Sequence, residues 1–438
     1  APPVELAPTG DGTLRQPSDG FDDVAEAIAA AEPGDRVRVE PGTYDGSLDI
    51  RVSGTAEHPI VIGGDSAEGV IWRSGGIRIV GSYVTLTGIT FTGAEHDIVT
   101  VTERSIGVRL HGLHFDGAGD GQDGSNFGLI KIDPDPTWVK SDNADDPPPV
   151  PIRRDLVIDA NVVDEPHNTV LWVTHGNTHL AVCHNTITGP HHIDGRETEA
   201  IKFGFGEGTN EDAQSVFAFN TITGWVGYPY VVGIKMSGVD LVGNLIGQGR
   251  VELRSANDVA VVGNVIADGD LQGGGRGHRI IGNYVRTVHD TDGFGPFMMY
   301  ASDGEPPFDG QDGRPWFYTA FSDSLVEDNT FVNAAGSEGF AVVMGHAQYL
   351  PTGDRPHDNQ FVGNRFVSET NGAIVIDNGH DADTDALLAA NTWTDNQSFW
   401  SGGATSPLPG EGNTVPSTAP VTEDVPTSLR FDVGPLAG

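Results

Sequence analysis

Apolar residues in this chain fall into short β-branched runs separated by glycine, asparagine and aspartate, and a single stretch breaks that rhythm. Residues 21–31, FDDVAEAIAAA, space their apolar positions at helical intervals behind two acids and stop close to PGD, which predicts an N-terminal capping helix. After it, VRVEPGTY, PIVIGG, GVIWRSGGIRIVG, YVTLTGITFTG and IGVRLHGLHF read as strands bounded by turn residues. A phrase then recurs: VIDANVV, VCHNTIT, FAFNTIT, LVGNLIG, VVGNVIA, IIGNYV, VEDNTFV and FVGNRFV. Its central asparagines are residues 161, 185, 220, 244, 264, 283, 329 and 364, at gaps of 24, 35, 24, 20, 19, 46 and 35. Repeats of that length, made of strands with asparagine at a turn, predict stacked coils that share one core. The fold class is therefore all-β, a single-stranded parallel β-helix with an N-terminal capping helix. Asparagine suits the corner because it tolerates left-handed backbone and can bond to the coils above and below.

Between the asparagine phrases lies a second short strand: GLIKID, TVLWVTH, EAIKFG, VVGIKMS, VELRS, GGGRG, FAVVMGH and GAIVIDN. Strand alternation predicts that Ile234 and Met236 face the core while Gly233, Lys235 and Ser237 face solvent. The same rule turns Val251 and Leu253 inward and Glu252 and Arg254 outward. Residues 132–152 and 286–318 read as loops walling a groove. Residues 1–400 are then one β-helical catalytic domain, and residues 401–438 a tail rich in proline, serine, threonine and glycine.

Composition narrows the function. With 24 basic against 62 acidic residues the formal charge is −38, which excludes binding nucleic acid by bulk charge. No apolar run reaches the length of a membrane span, so no membrane partner is expected. Cys183 is the single cysteine, so no intrachain disulfide can form. Asp116, Asp120 and Asp123 lie close together without the spacing of a calcium-binding EF-hand loop. Against this acidity a basic file stands out. Lys202, Lys235, Arg254 and Arg276 fall on four consecutive strands of the second kind, and Lys131 lies on the same strand type. Stacked coils lie ~4.8 Å apart, so neighbouring head groups would flank one bound sugar. A positive stripe in an acidic chain suggests an anionic ligand; the alternative is a ladder of charges paired with neighbours such as Glu199 and Glu252.

GDRVRVEPGTYDGSLDI, HPIVIGGD, ETEAIKFG, VVGIKMSGVDLVGNLI, VELRSANDVAVVGNVI, GGGRGHRIIGNYV and FYTAFSDSLVEDNTFVN, in this order, resemble polysaccharide lyase family 6, which includes alginate lyases and chondroitinase B. The resemblance implies a right-handed parallel β-helix that cleaves an acidic, uronic-acid-containing polysaccharide, alginate first, by β-elimination. It places the Brønsted base on Lys235 and the acid or its partner on Arg254, with Arg276 gripping substrate. A lysine base must be neutral when it acts, and a neighbouring cation favours that form.

Two positions depart from the family. Its acidic calcium ligands, seven and five residues before the lysine, are here Tyr228 and Tyr230, so no metal cofactor is expected. Lys202, Arg276 or Arg196 would neutralise the substrate carboxylate instead, and the tyrosines would contact sugar. Ser255 stands where the family often has histidine. Glu252, His191 and His192 are further candidates for lining the groove. Two other functions remain open: a β-helical glycoside hydrolase drawing a carboxylate pair from Glu199, Glu252, Asp194 and Asp159, and a noncatalytic glycan-binding β-helix. The expected protein is a secreted or periplasmic monomer. Alanine at Lys235 or Arg254 is expected to abolish elimination and leave the fold intact, because both side chains are taken to face solvent.

Overall fold

The computed structural model describes residues 12–17, 20–93, 97–119, 128–134, 152–189, 199–204, 209–225, 230–254, 256–288, 295–302, 319–334, 341–346, 354–368, 375–377, 384–400 and 408–416. Strands stack in parallel into three sheets, and each turn of the chain visits all three in the same order. The helix forms where the pattern places it, at Phe21–Ala29, with Asp22 and Asp23 in its first turn and Val24 and Ile28 buried. A second short helix, Thr384–Ala389, has no counterpart in the sequence reading.

The chain divides into two compact units, Ala1–Gly206 with Asn210–Ser237, and Glu207–Thr209 with Gly238–Gly438. In the first unit the sheet that each turn visits third, with strands from Leu48–Ile50 to Tyr230–Ile234, shows how the apolar pattern builds the core. Ile50, Ile79, Val101, Ile132, Val173, Phe203 and Ile234 pair rung on rung. All seven are buried. A two-residue period puts them in one column, and parallel pairing without slippage continues that column through every coil. In the second unit, Phe331 stacks on its rung partner Phe366 at 5.8 Å, and Phe297, from another sheet, stacks on Phe331 at 4.7 Å.

The predicted asparagines form a buried ladder in each unit. In the first, the Asn185 Oδ1 accepts from the backbone N–H of Asn161 at 3.0 Å and its Nδ2 at 2.8 Å. Asn185 donates in turn to the Asn220 Oδ1 at 3.0 and 2.9 Å. In the second unit the ladder runs Asn244, Asn264, Asn283, Asn329 and Asn364, and two asparagines outside the predicted set, Asn396 and the half-buried Asn413, extend it. One expectation is corrected. The left-handed residue at each corner is not the asparagine but the residue before it: Ala160, His184 and Phe219 have φ of 55°, 58° and 56°, and Gly243, Gly263, Gly282 and Gly363 take the same place. The bend is thus made one residue early, and the asparagine's amide bridges to the neighbouring coil.

His278 shows what this packing does to a titratable group. It is fully buried against Phe321, with rings 5.2 Å apart. Its Nδ1 accepts from the Val259 N–H at 3.4 Å, and its Nε2 faces the Gly274 carbonyl at 3.1 Å. Burial pushes its pKa down to about 4 from 6.5, against a weaker opposing pull from the Gly274 bond. Below pH 6.5 the unfolded chain takes up a proton that the fold refuses, so stability falls between pH 6.5 and about 4 and this contribution is constant below. The loss amounts to roughly 3 kcal/mol. Denaturant titrations of wild type and His278→Gln across that range should show the steeper pH dependence in wild type; equal slopes would contradict the assignment.

Candidate active site

Short strands of the third sheet carry the site in the first unit. Between the two core residues of each strand, one side chain faces away from the core, giving the column Asp49, Arg78, Thr100, Lys131, Trp172, Lys202 and Gly233. Lys131 and Lys202 lie on either side of Trp172, their Nζ atoms 5.3 and 5.7 Å from the indole centroid. Cations near an aromatic ring are attracted by its quadrupole. Lys131 also bonds to Asp97 at 3.0 Å and stands 3.8 Å from Asp133, whose pKa is raised, chiefly by burial.

At the end of this column the lysines converge on one carboxylate. Lys235 donates from Nζ to both Glu199 oxygens, at 2.7 and 3.0 Å. Lys202 Nζ lies 3.9 Å from the same carboxylate. All three residues are buried, with relative exposures of 3% for Lys235, 6% for Glu199 and 6% for Lys202.

The local backbone makes this arrangement possible. The rung partner of Lys202 is Gly233, not Lys235, and a Cβ at Gly233 would stand 2.6 Å from Glu199 Oε1. The carboxylate therefore occupies the space that a side chain at residue 233 would fill. Lys235 follows the strand Tyr230–Ile234, beside Gly204, which has φ +87°. A Cβ at Gly204 would approach Lys235 Cβ to 3.0 Å and His175 Cε1 to 2.9 Å.

The sequence expectation that Lys235 and Glu252 face solvent is thus overturned. Alternation holds for the backbone, but charge pairing and packing close both side chains off. In the second unit Glu252 is 2% exposed and accepts from the Tyr300 hydroxyl at 3.0 Å. Arg254, directly after the strand Arg250–Leu253, is half-buried. The predicted basic file does not continue to Arg276. The rung partner of Glu252 is Gln272, followed by Met298. Arg276 is exposed and forms a bridge with Ser322 instead. Three glycines explain the difference. At Gly273, Gly274 and Gly275 a Cβ would fall within 2.6, 2.1 and 1.8 Å of other atoms, so the chain leaves the third sheet through them before it reaches residue 276.

Tyr230 is half-buried at the head of its strand. Arg196, His191, His192, Asp194, Tyr228, Ser255, Asp120 and Asp123 lie outside the described residues. Trp172 and Gly233 were missed by the sequence reading. The available signal was position: each is the middle residue of the stretch aligned with IKI and IKF.

Of the other carboxylates considered for hydrolysis, Glu252 is bound by Tyr300 and Asp159 is engaged elsewhere. Asp159 lies on the first sheet, bonded to Arg109 at 2.9 and 2.7 Å and to His111 at 3.0 Å. Burial would raise its pKa, but the bonds and charges of Arg109 and His111 outweigh it and hold it at about 2. Among the described residues, the surroundings of Glu199 do not fit a calcium ion. Calcium takes six to eight oxygens, several of them carboxylate. Here both Glu199 oxygens are engaged by an ammonium, with a second ammonium alongside. Among the described residues no cluster of three His, Cys, Asp or Glu side chains could hold a metal.

No family model and no curated protein matches the sequence. Solved structures do match the fold. A mannuronic-acid-specific family 6 polysaccharide lyase from the human gut microbiota aligns with a TM-score of 0.70 at 16% identity, over 89% of this chain and 86% of that one. The family 6 alginate lyase AlyGC aligns with a TM-score of 0.70 at 15% identity over 91% of this chain, which spans about half (52%) of that protein. A family 6 polysaccharide lyase from Pseudopedobacter saltans gives 0.65 at 16% identity, over 90% and 94% of the two chains. The chain therefore has the right-handed parallel β-helix fold of the family 6 polysaccharide lyases.

Proposed function

We propose that the protein is a polysaccharide lyase that cleaves a uronic-acid-containing polymer, alginate first among them, by β-elimination. The observation that supports it most is the buried pair Lys202 and Lys235 around one carboxylate, in a chain whose formal charge is −38. Three of the chain's four lysines stand on or directly after the same short strands. Alginate is favoured because the solved proteins that share the fold include lyases specific for mannuronic acid or alginate. A polymeric substrate also puts the work outside the cytoplasm.

In this reading Lys235, as the free amine, removes the proton at C5 of the uronate. The C5–H electron pair becomes the C4–C5 double bond as the C4–O4 bond breaks, and the departing O4 takes a proton. Lys202 holds the sugar carboxylate and stabilises the charge that develops on it in the transition state. The resemblance assigns the role of acid or charge stabiliser at O4 to Arg254. Lys202 thus takes over the neutralisation that calcium performs in the family, and Trp172 offers an aromatic face beside the two lysines. Hydrolysis is less favoured, since Glu199 is bound by Lys235 and Asp159 is held ionised on another sheet.

A panel of alginate, chondroitin, dermatan, hyaluronan, pectate and neutral glycans tests the proposal. Ultraviolet absorbance should rise with at least one uronate polymer and with no neutral one; new reducing ends without absorbance would indicate a hydrolase. Chelator should leave the rate within about twofold, because the carboxylate is met by ammonium groups. A rate abolished by chelator and restored by calcium would overturn the metal-free part of the reading.

A further inference from the structure

Glu199 has no role in the elimination as described, yet it is the group that Lys235 touches most closely. Its carboxylate fills the one place in the column where the chain carries no side chain. Gly233 has no left-handed backbone angle that would call for glycine. What the position requires is the absence of a Cβ, which would otherwise stand 2.6 Å from Glu199 Oε1 and 2.9 Å from its Cδ. The strand is thus notched at Gly233, and the carboxylate in the notch grips the Lys235 Nζ with both oxygens.

We infer that Glu199, seated in the notch at Gly233, is a positioning residue that fixes the Lys235 amine. The inference rests on the lyase reading and deepens it. A lysine side chain has four rotatable bonds, and a two-oxygen grip removes most of that freedom at the reacting nitrogen.

Three variants test the inference on a polymer that the wild type cleaves. Glu199→Gln keeps an oxygen acceptor but loses the charge. Its maximal kcat should fall about tenfold with KM changed less than threefold. Gly233→Ala keeps every charge and pushes the carboxylate aside, so it should lower kcat in the same way even if Glu199→Gln folds poorly. Glu199→Asp combined with Gly233→Ala shortens the acid to clear the added methyl and should restore kcat toward the wild-type value. A wild-type kcat in Glu199→Gln or in Gly233→Ala would overturn the inference while leaving the lyase reading intact. Absence of any unsaturated product from the wild type would overturn the lyase reading itself, and the inference with it.

Discussion

Lys235→Ala will stop formation of unsaturated product, with a loss of about 10³-fold or more, because no other described side chain is placed to do the same work. It will also weaken the fold. Lys235 is 3% exposed, and its removal leaves the Glu199 carboxylate buried without its closest partner. Breaking one side of a buried ion pair costs about 3–5 kcal/mol. This corrects the expectation from alternation that such a variant leaves the fold intact. The two effects separate in Lys235→Met combined with Glu199→Gln, which removes both charges and preserves volume. That double variant should regain most of the lost stability in denaturant titration and remain inactive. Activity near wild type in either protein would remove Lys235 from the mechanism.

A second large effect is expected far from the chemistry. Asn185→Ala in the first unit's ladder should cost about 3–4 kcal/mol, measured by chemical denaturation. The amide accepts twice from Asn161 and donates to the Ile158 carbonyl and to Asn220. Alanine leaves buried donors and an acceptor unmet on both neighbouring coils, where no solvent reaches them. A loss below about 1 kcal/mol would mean that the coils hold together by apolar stacking alone.

Much of this architecture was legible in the residues. Short β-branched runs, the spacing of Asn161, Asn185 and their successors, and the helical stretch after residue 20 point to stacked coils with a cap. The ladder followed because asparagine is the side chain that can both accept from one coil and donate to another. Which residue makes the corner was not legible, since Ala160 and Phe219 carry no sign that they take left-handed angles. Lys235 and Lys202 could be singled out because lysine is rare in this chain. Their burial could not, because a two-residue period gives direction but not what lies over a side chain. Arg276 was misplaced for a related reason. GGGRG aligns with neighbouring strands by eye, but close backbone approaches at its glycines end the strand first. Glu199 was visible as a possible counter-charge, and its seat at Gly233 appears only when the rungs are paired.

The most direct test of the central claim is digestion of alginate in water enriched in heavy oxygen, with chelator present and the fragments weighed by mass spectrometry. Elimination breaks the C4–O4 bond without adding water, so the account predicts fragments that carry a double bond and no heavy oxygen. Fragments that have gained one heavy oxygen at each cut, and no double bond, would contradict it.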